Sequence, residues 1–211
     1  MDKQCGNTSE ARECEICNSK KRRDKNLLKI SETMSEQSEW ENCLSERLSR
    51  AGVVEYARAL HNDEQGISRL CRILLTTGDT RRAGNAAWIL SHLSGEDKRV
   101  YLLPFYDELV DMAMRPDLKI RRALLLSLLA DLPVTEDFRA DLLDYCLCGM
   151  TDGKETDSSR SVMIKLVAGV CRVFPELKNE LAASLELLSE EMKPSIAAAC
   201  RQAWKCIGRK P

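Results

Sequence analysis

Cys14-Glu15-Ile16-Cys17 is the first place in the chain where residue type and spacing could do chemistry. A CxxC brings two soft thiolates to one zinc ion, and a structural site completes the tetrahedron with a second close pair. No second pair lies nearby. Cys5 stands nine residues before, Cys43 stands 26 after, and neither has a histidine close by. Spacing therefore favours an inert tail over a zinc site built from Cys5, Cys14, Cys17 and Cys43. Redox chemistry of the thioredoxin kind needs the CxxC at a helix start after a strand, and that context is absent. Lys20-Lys21-Arg22-Arg23 fits the crude basic pattern for nuclear import or nucleic-acid contact, but Glu13, Glu15 and Asp24 dilute its field.

Further along, the candidates are thinner. His61 and His92 have no acid or cysteine at a spacing that makes a triad or a metal pair. Asp107 and Asp111 are i,i+4 neighbours and Asp141 and Asp144 stand three apart. Paired carboxylates can support acid–base work, yet a solvated helix face explains these more cheaply. Trp88 and Trp204 could stack bases or grip a peptide, but a large ring in an apolar helix first fills a core. No catalytic residue, metal or cofactor is assigned on these grounds. What remains is a row of cations: Arg81, Arg82, Lys119, Arg121, Arg122, Arg160 and Lys165.

The elements that position this row are repeats. Arg82, Arg121 and Arg160 stand 39 residues apart, each near the start of an apolar run, RAGNAAWIL, RRALLLSLL and RSVMIKLVA. A fourth run over residues 195–207 follows out of step. Periods of this length mean stacked helix pairs, each burying its apolar face against the next. The expected helices cover residues 35–51, closed by Gly52, then 53–60, then a stretch capped by Asn62 and stopped at Gly78. Asp79 opens the next. Residues 100–115 and 117–132 form the most regular pair, with Pro116 at the corner and Pro104 either starting or kinking the first helix. Thr135 is expected to cap the following helix, and helices over 160–173, 176–191 and 195–207 complete the chain. Residues 167–173, the best strand candidate, sit inside a 3.6-period run, so the count is about ten helices and no sheet. Residues 1–34 are polar and read as a flexible tail, leaving 35–211 as the repeat domain.

Composition limits the function classes. Lysine and arginine (32) balance aspartate and glutamate (33), so the whole chain is not steered to nucleic acid or anionic membrane. No stretch approaches a membrane span, and the start, Asp2-Lys3-Gln4, is unlike a secretory signal. Six of the ten cysteines (Cys71, Cys146, Cys148, Cys171, Cys200 and Cys206) fall in apolar helical runs, where cysteine serves as a small buried hydrophobe. A reducing, cytoplasmic setting follows.

Residues 102–128, LLPFYDELVDMAMRPDLKIRRALLLSL, resemble a HEAT repeat. Pro104, Asp117, Ile120, Arg121 and Ala123 fall on its signature positions, and Asp79 and Arg82 match the second helix of the preceding unit. The resemblance extends over roughly residues 62–207 and is partial outside this segment. It implies an all-α fold, a right-handed α-solenoid of about four to five antiparallel helix pairs. It also implies that Arg82, Arg121 and Arg160 brace the ladder of second helices. A non-enzymatic binding or scaffold module, holding a protein or peptide on its concave face, is the function expected. The alternative is a nucleic-acid-binding relative of the DNA base-repair branch, alkylpurine glycosylase-like, acting through the cation row. The chain is expected to be a monomer whose terminal helices cover their own ends.

Overall fold

The computed structural model describes residues 43–135, 138–188 and 193–208. Among the described residues every regular element is helical. The chain divides into two compact units, Met1–Glu46 and Arg47–Pro211. The expected tail at 1–34, with its CxxC and basic run, lies outside the described residues. The second unit carries the repeats.

It opens with α1 (Arg50–Ala59). Four pairs follow: α2 (Glu64–Thr76) with α3 (Thr80–Ser91), α4 (Tyr106–Met114) with α5 (Lys119–Ala130), α6 (Ala140–Thr151) with α7 (Asp157–Val173), and α8 (Lys178–Glu186) with α9 (Pro194–Cys206). The first three pairs are tight hairpins, while α9 lies mainly against α7 rather than against α8. Second helices pack side by side in the order α3, α5, α7, α9, whereas the first helices only touch. Such a ladder buries a continuous core. Leu90, Leu109, Leu125, Leu128, Leu166, Val170 and Trp204, the residues whose helical phase points inward, are all buried.

Side-chain caps start several helices, each oxygen accepting from an orphan N–H of the first turn. Asp79 accepts from the N–H groups of Arg81 (2.8 Å) and Arg82 (3.2 Å), as expected. Elsewhere the caps differ from expectation. Gly52 does not stop a helix: residues 46–49 break the chain, and Gly52 lies in the first turn of α1, donating its N–H to Ser49 Oγ. Asp63, not Asn62, caps α2 by accepting from Gly66 N at 3.0 Å, because Asn62 takes a left-handed turn conformation (φ 61°). Thr135 does not cap α6, which begins only at Ala140 with Arg139 before it. Thr156 caps α7.

The single helix expected over 100–115 is subdivided. After one turn at Gly95–Asp97 the chain widens into a π-type turn at Lys98–Leu102, then tightens at Leu103–Phe105 before α4. Pro104 has no N–H and its ring crowds the carbonyl four residues back, so regular α bonding cannot pass through it. The wide turn places Lys98 inside, 6% exposed, where Nζ donates to Ser91 O (2.7 Å) and Asp131 Oδ2 (2.6 Å).

Candidate functional site

Arg121 and Arg122 are neighbours, but a helix turns about 100° per residue, so they leave α5 in different directions. Arg122 goes inward and is 1% exposed. Its Nε donates to Ala113 O at 2.9 Å and its Nη2 to Arg115 O at 2.6 Å, carbonyls at the end of α4 that the helix itself leaves unpaired. Nη1 pairs with Glu155 Oε1 at 2.5 Å, and the guanidinium carbon lies 5.5 Å from the centre of the Tyr145 ring. One side chain thereby ties α5 to α4, α6 and the loop leading into α7. Arg160 makes the simpler version one unit later, its Nε donating to Met150 O at 2.9 Å.

The brace expected at Arg121 is therefore at Arg122, and the bracing residues are 38 apart rather than 39. Arg121 is half-buried, with its stem across α3 where Gly84 presents no Cβ. Arg122 in turn leaves the candidate ligand row, because its donors are spent inside. Arg82 lies half-buried with Nε 3.8 Å from Asp79 Oδ2, the cap of its own helix. Arg81 and Lys165 are exposed, and Lys119 opens α5.

The outward faces of the second helices form strips. On α7 these are Ser158, Val162, Lys165, Gly169 and Arg172; on α9, Ala198, Arg201, Gln202 and Lys205. On α3 the strip includes Arg81, Asn85 and the half-buried Trp88, whose ring meets that of His92 edge-on at 6.3 Å. Charge is sorted on the second helices and on two of the first, whereas α2 carries Glu64 with Arg69 and Arg72 and α8 carries Lys178 with Glu180 and Glu186. No carboxylate occurs in α3, α5 or α9, and α7 has only Asp157, which pairs with Lys193 at 2.6 Å. Conversely, α4 and α6 contain no lysine or arginine. Arg172, Arg201 and Lys205 belong to this basic layer although the arginine period did not reveal them. Helical phase did carry the signal, since Arg172 follows Lys165 at i+7.

Between α7 and α9 the strips border a groove lined by Lys165, Ala168, Arg172, Ala199, Gln202, Ala203 and Cys206. Arg172 Nε donates to Cys206 Sγ at 3.1 Å, and that thiol donates to Ala168 O at 3.1 Å.

On the first-helix layer, the aspartates at 107, 111 and 141 converge on Arg139. Its Nη1 lies 2.6 Å from Asp111 Oδ1 and 3.8 Å from Asp107 Oδ1, and Nη2 bonds Asp141 Oδ2. The bond from Arg139 holds the Asp141 carboxyl below its ordinary range. These carboxylates are ion-pair partners of one arginine.

His61, unpaired on sequence spacing, meets Asp97 across 36 residues, with Nδ1 3.0 Å from Oδ2. Ser94 Oγ donates to the same oxygen at 2.7 Å and Asn62 N to the other at 3.2 Å. The hydrogen bond and charge of Asp97 raise the His61 pKa above its ordinary 6.5. Burial pushes Asp97 up, but its donors outweigh that and hold it below 3.8. The serine here bonds the carboxylate and not the imidazole, so no base activates its hydroxyl. The cluster is a structural clamp on two turns.

All seven described cysteines are free thiols. Burial pushes Cys71 and Cys146 up to about 12 and Cys171 to about 11, which leaves them inert. Two depart from expectation: Cys148 is exposed and Cys206 half-buried. Among the described residues no group of histidine, cysteine, aspartate and glutamate could hold a metal ion, and no helix is long and apolar enough to cross a membrane.

The HEAT repeat domain family matches this chain over residues 40–207. Comparison with curated proteins and with solved structures gives no match.

Proposed function

Since the chain belongs to the HEAT repeat domain family, we propose that it is a non-enzymatic module holding a protein or peptide on the outward face of its second helices. A fold alone never fixes a function. The observation that carries the reading is the basic character of the ladder that packs closely: α3, α5 and α9 carry cations and no carboxylate, while the layer that spreads is acidic on α4 and α6 and mixed on α2 and α8. Stacked hairpins of this kind curve toward the closer layer and offer it as an extended concave surface. The free thiols agree with a reducing, cytoplasmic setting.

The test is capture from native lysate by the immobilised full chain, compared with an Arg81→Glu, Lys165→Glu variant. Both side chains are exposed, so the variant keeps the core. The reading expects proteins held by the wild type and lost by the variant. Recovery of no protein, or of the same proteins by both, refutes it.

A second reading, nucleic-acid binding through Arg81, Arg82, Lys119, Arg121, Arg160 and Lys165, draws on the same basic layer and on Trp88. Phosphate contacts would make affinity fall linearly with log salt. Base-repair chemistry has less support, because α3, α5 and α9 offer no carboxylate and the one on α7 is paired. Failure of duplex and single-stranded DNA to bind at low salt removes this reading.

A further inference from the structure

We propose that the groove between α7 and α9 docks an acidic segment of the partner protein, its carboxylates held by Lys165 and Arg172. This deepens the protein-binding reading and rests on it. Several cations of this fold are satisfied within it. Lys98 pairs with Asp131, Arg115 with Asp117, Arg139 with Asp111 and Asp141, and Lys193 with Asp157. Others, Arg58, Arg69, Arg72 and Lys178 among them, have no carboxylate partner among the described residues, and beside the groove such cations gather on two adjacent helices. Lys165, Arg201 and Lys205 have no carboxylate partner among the described residues, and Arg172 spends only Nε, on Cys206. Both Nη groups of that fork have no partner among the described residues and suit a planar, bidentate acceptor, which a carboxylate is.

Like charges gathered without counter-charge repel one another, and a partner carboxylate converts that repulsion into attraction. Contact with Cys206 also fixes the Arg172 stem, so the fork needs little ordering on binding. The floor argues for a peptide. Its alanines, Ala168, Ala199 and Ala203, are buried and raise no bulk between the two helices, and no aromatic ring lines the groove to stack a base.

The experiment uses the full chain and a fluorescent peptide of alternating glutamate and alanine, with a glutamine–alanine peptide and a thymidine oligonucleotide as comparisons. Anisotropy should show binding of the glutamate peptide and not of its glutamine counterpart. Lys165→Glu with Arg172→Glu should weaken it by roughly tenfold or more, and Arg81→Glu, remote on α3, by less than roughly twofold. Lys165→Glu alone, on a solvent-facing side chain, should weaken it in the same direction and keeps the test valid if Arg172→Glu loosens α9. Equal binding of both peptides, no binding, or indifference to Lys165→Glu overturns the proposal. So does tighter binding of the oligonucleotide with the same sensitivity, or a doubled mass with the groove filled by a second copy. Proteins captured from lysate irrespective of residue 165 would remove the groove and leave the module; capture of none would remove both.

Discussion

Replacing Arg122 with methionine tests the load placed on one buried guanidinium. Methionine keeps the length of the stem and deletes every donor. Glu155 then stays 11% exposed on its side chain with no counter-charge, and its Oε2 has no hydrogen-bond partner even in the intact protein. Ala113 O and Arg115 O lose their donors as well. Breaking a buried pair on one side costs about 3–5 kcal/mol, because the remaining charge keeps its desolvation penalty. That is a large fraction of the roughly 5–15 kcal/mol that holds a domain folded. Arg160→Met removes a single carbonyl bond and should cost only about 1 kcal/mol. Urea denaturation followed by far-UV circular dichroism measures both. The second arm is Arg122→Met with Glu155→Met, which removes the stranded charge and should recover much of the loss. A loss below about 1 kcal/mol for Arg122→Met, or a double variant no more stable than the single, would refute the reasoning.

Leu125 is fully buried, so Leu125→Ala should cost about 2–5 kcal/mol through transfer and cavity terms, and a loss under about 0.5 kcal/mol in the same titration would contradict its place in the core. Gly66 accepts no side chain cheaply: a Cβ there would lie 2.5 Å from Leu60 Cδ2 and against the capping carboxylate of Asp63, so Gly66→Ala should destabilise by roughly 1–3 kcal/mol where an ordinary helix position would gain. His61 has its folded pKa raised, so its contribution is complete below the unfolded 6.5 and fades as pH rises through the folded value. Asp97 runs the other way, its contribution fading as pH falls below 3.8, so melting temperatures of wild type and His61→Ala should differ most between these values and converge in alkali. Light scattering at micromolar concentration should give a single chain's mass, 23.8 kDa, and a stable doubled mass would overturn the monomer.

What the sequence shows of the fold is the part that repeats. A 39-residue period and apolar runs at helical spacing place the hairpins, and Asp79 announces a cap because its side chain acts within three residues. Boundaries set by longer-range contacts were less legible. Ser49 and Asp63 supply the caps where Gly52 and Asn62 carried the stronger local pattern. Pro104 announced a disturbance, yet its form, a wide turn followed by a tight one, depends on drawing Lys98 to Asp131 across 33 residues. The candidate site was half visible. Positive charge at the start of each second helix is plain in the sequence. Which of two adjacent arginines turns inward is decided by where α4 ends and where Glu155 stands, and neither is a property of α5. His61 and Asp97 escaped for the same reason, being 36 residues apart.

The arginine pair also bears on why the second-helix layer is basic at all. Bracing accounts for Arg122 and Arg160, each bonded to carbonyls at the end of a first helix. It does not account for Lys165, Arg172, Arg201 or Lys205, whose charges meet no carboxylate among the described residues. Solvation does not account for them either, because the exposed faces of α4 and α6 satisfy water with Asp107, Glu108 and Asp144 and no cation. A helix surface that only needed wetting would mix both signs and gain from pairs at i,i+4. Keeping one sign on α3, α5 and α9 forgoes those pairs and adds repulsion among like neighbours. The proposed docking of an acidic segment along α7 and α9 would offset that cost.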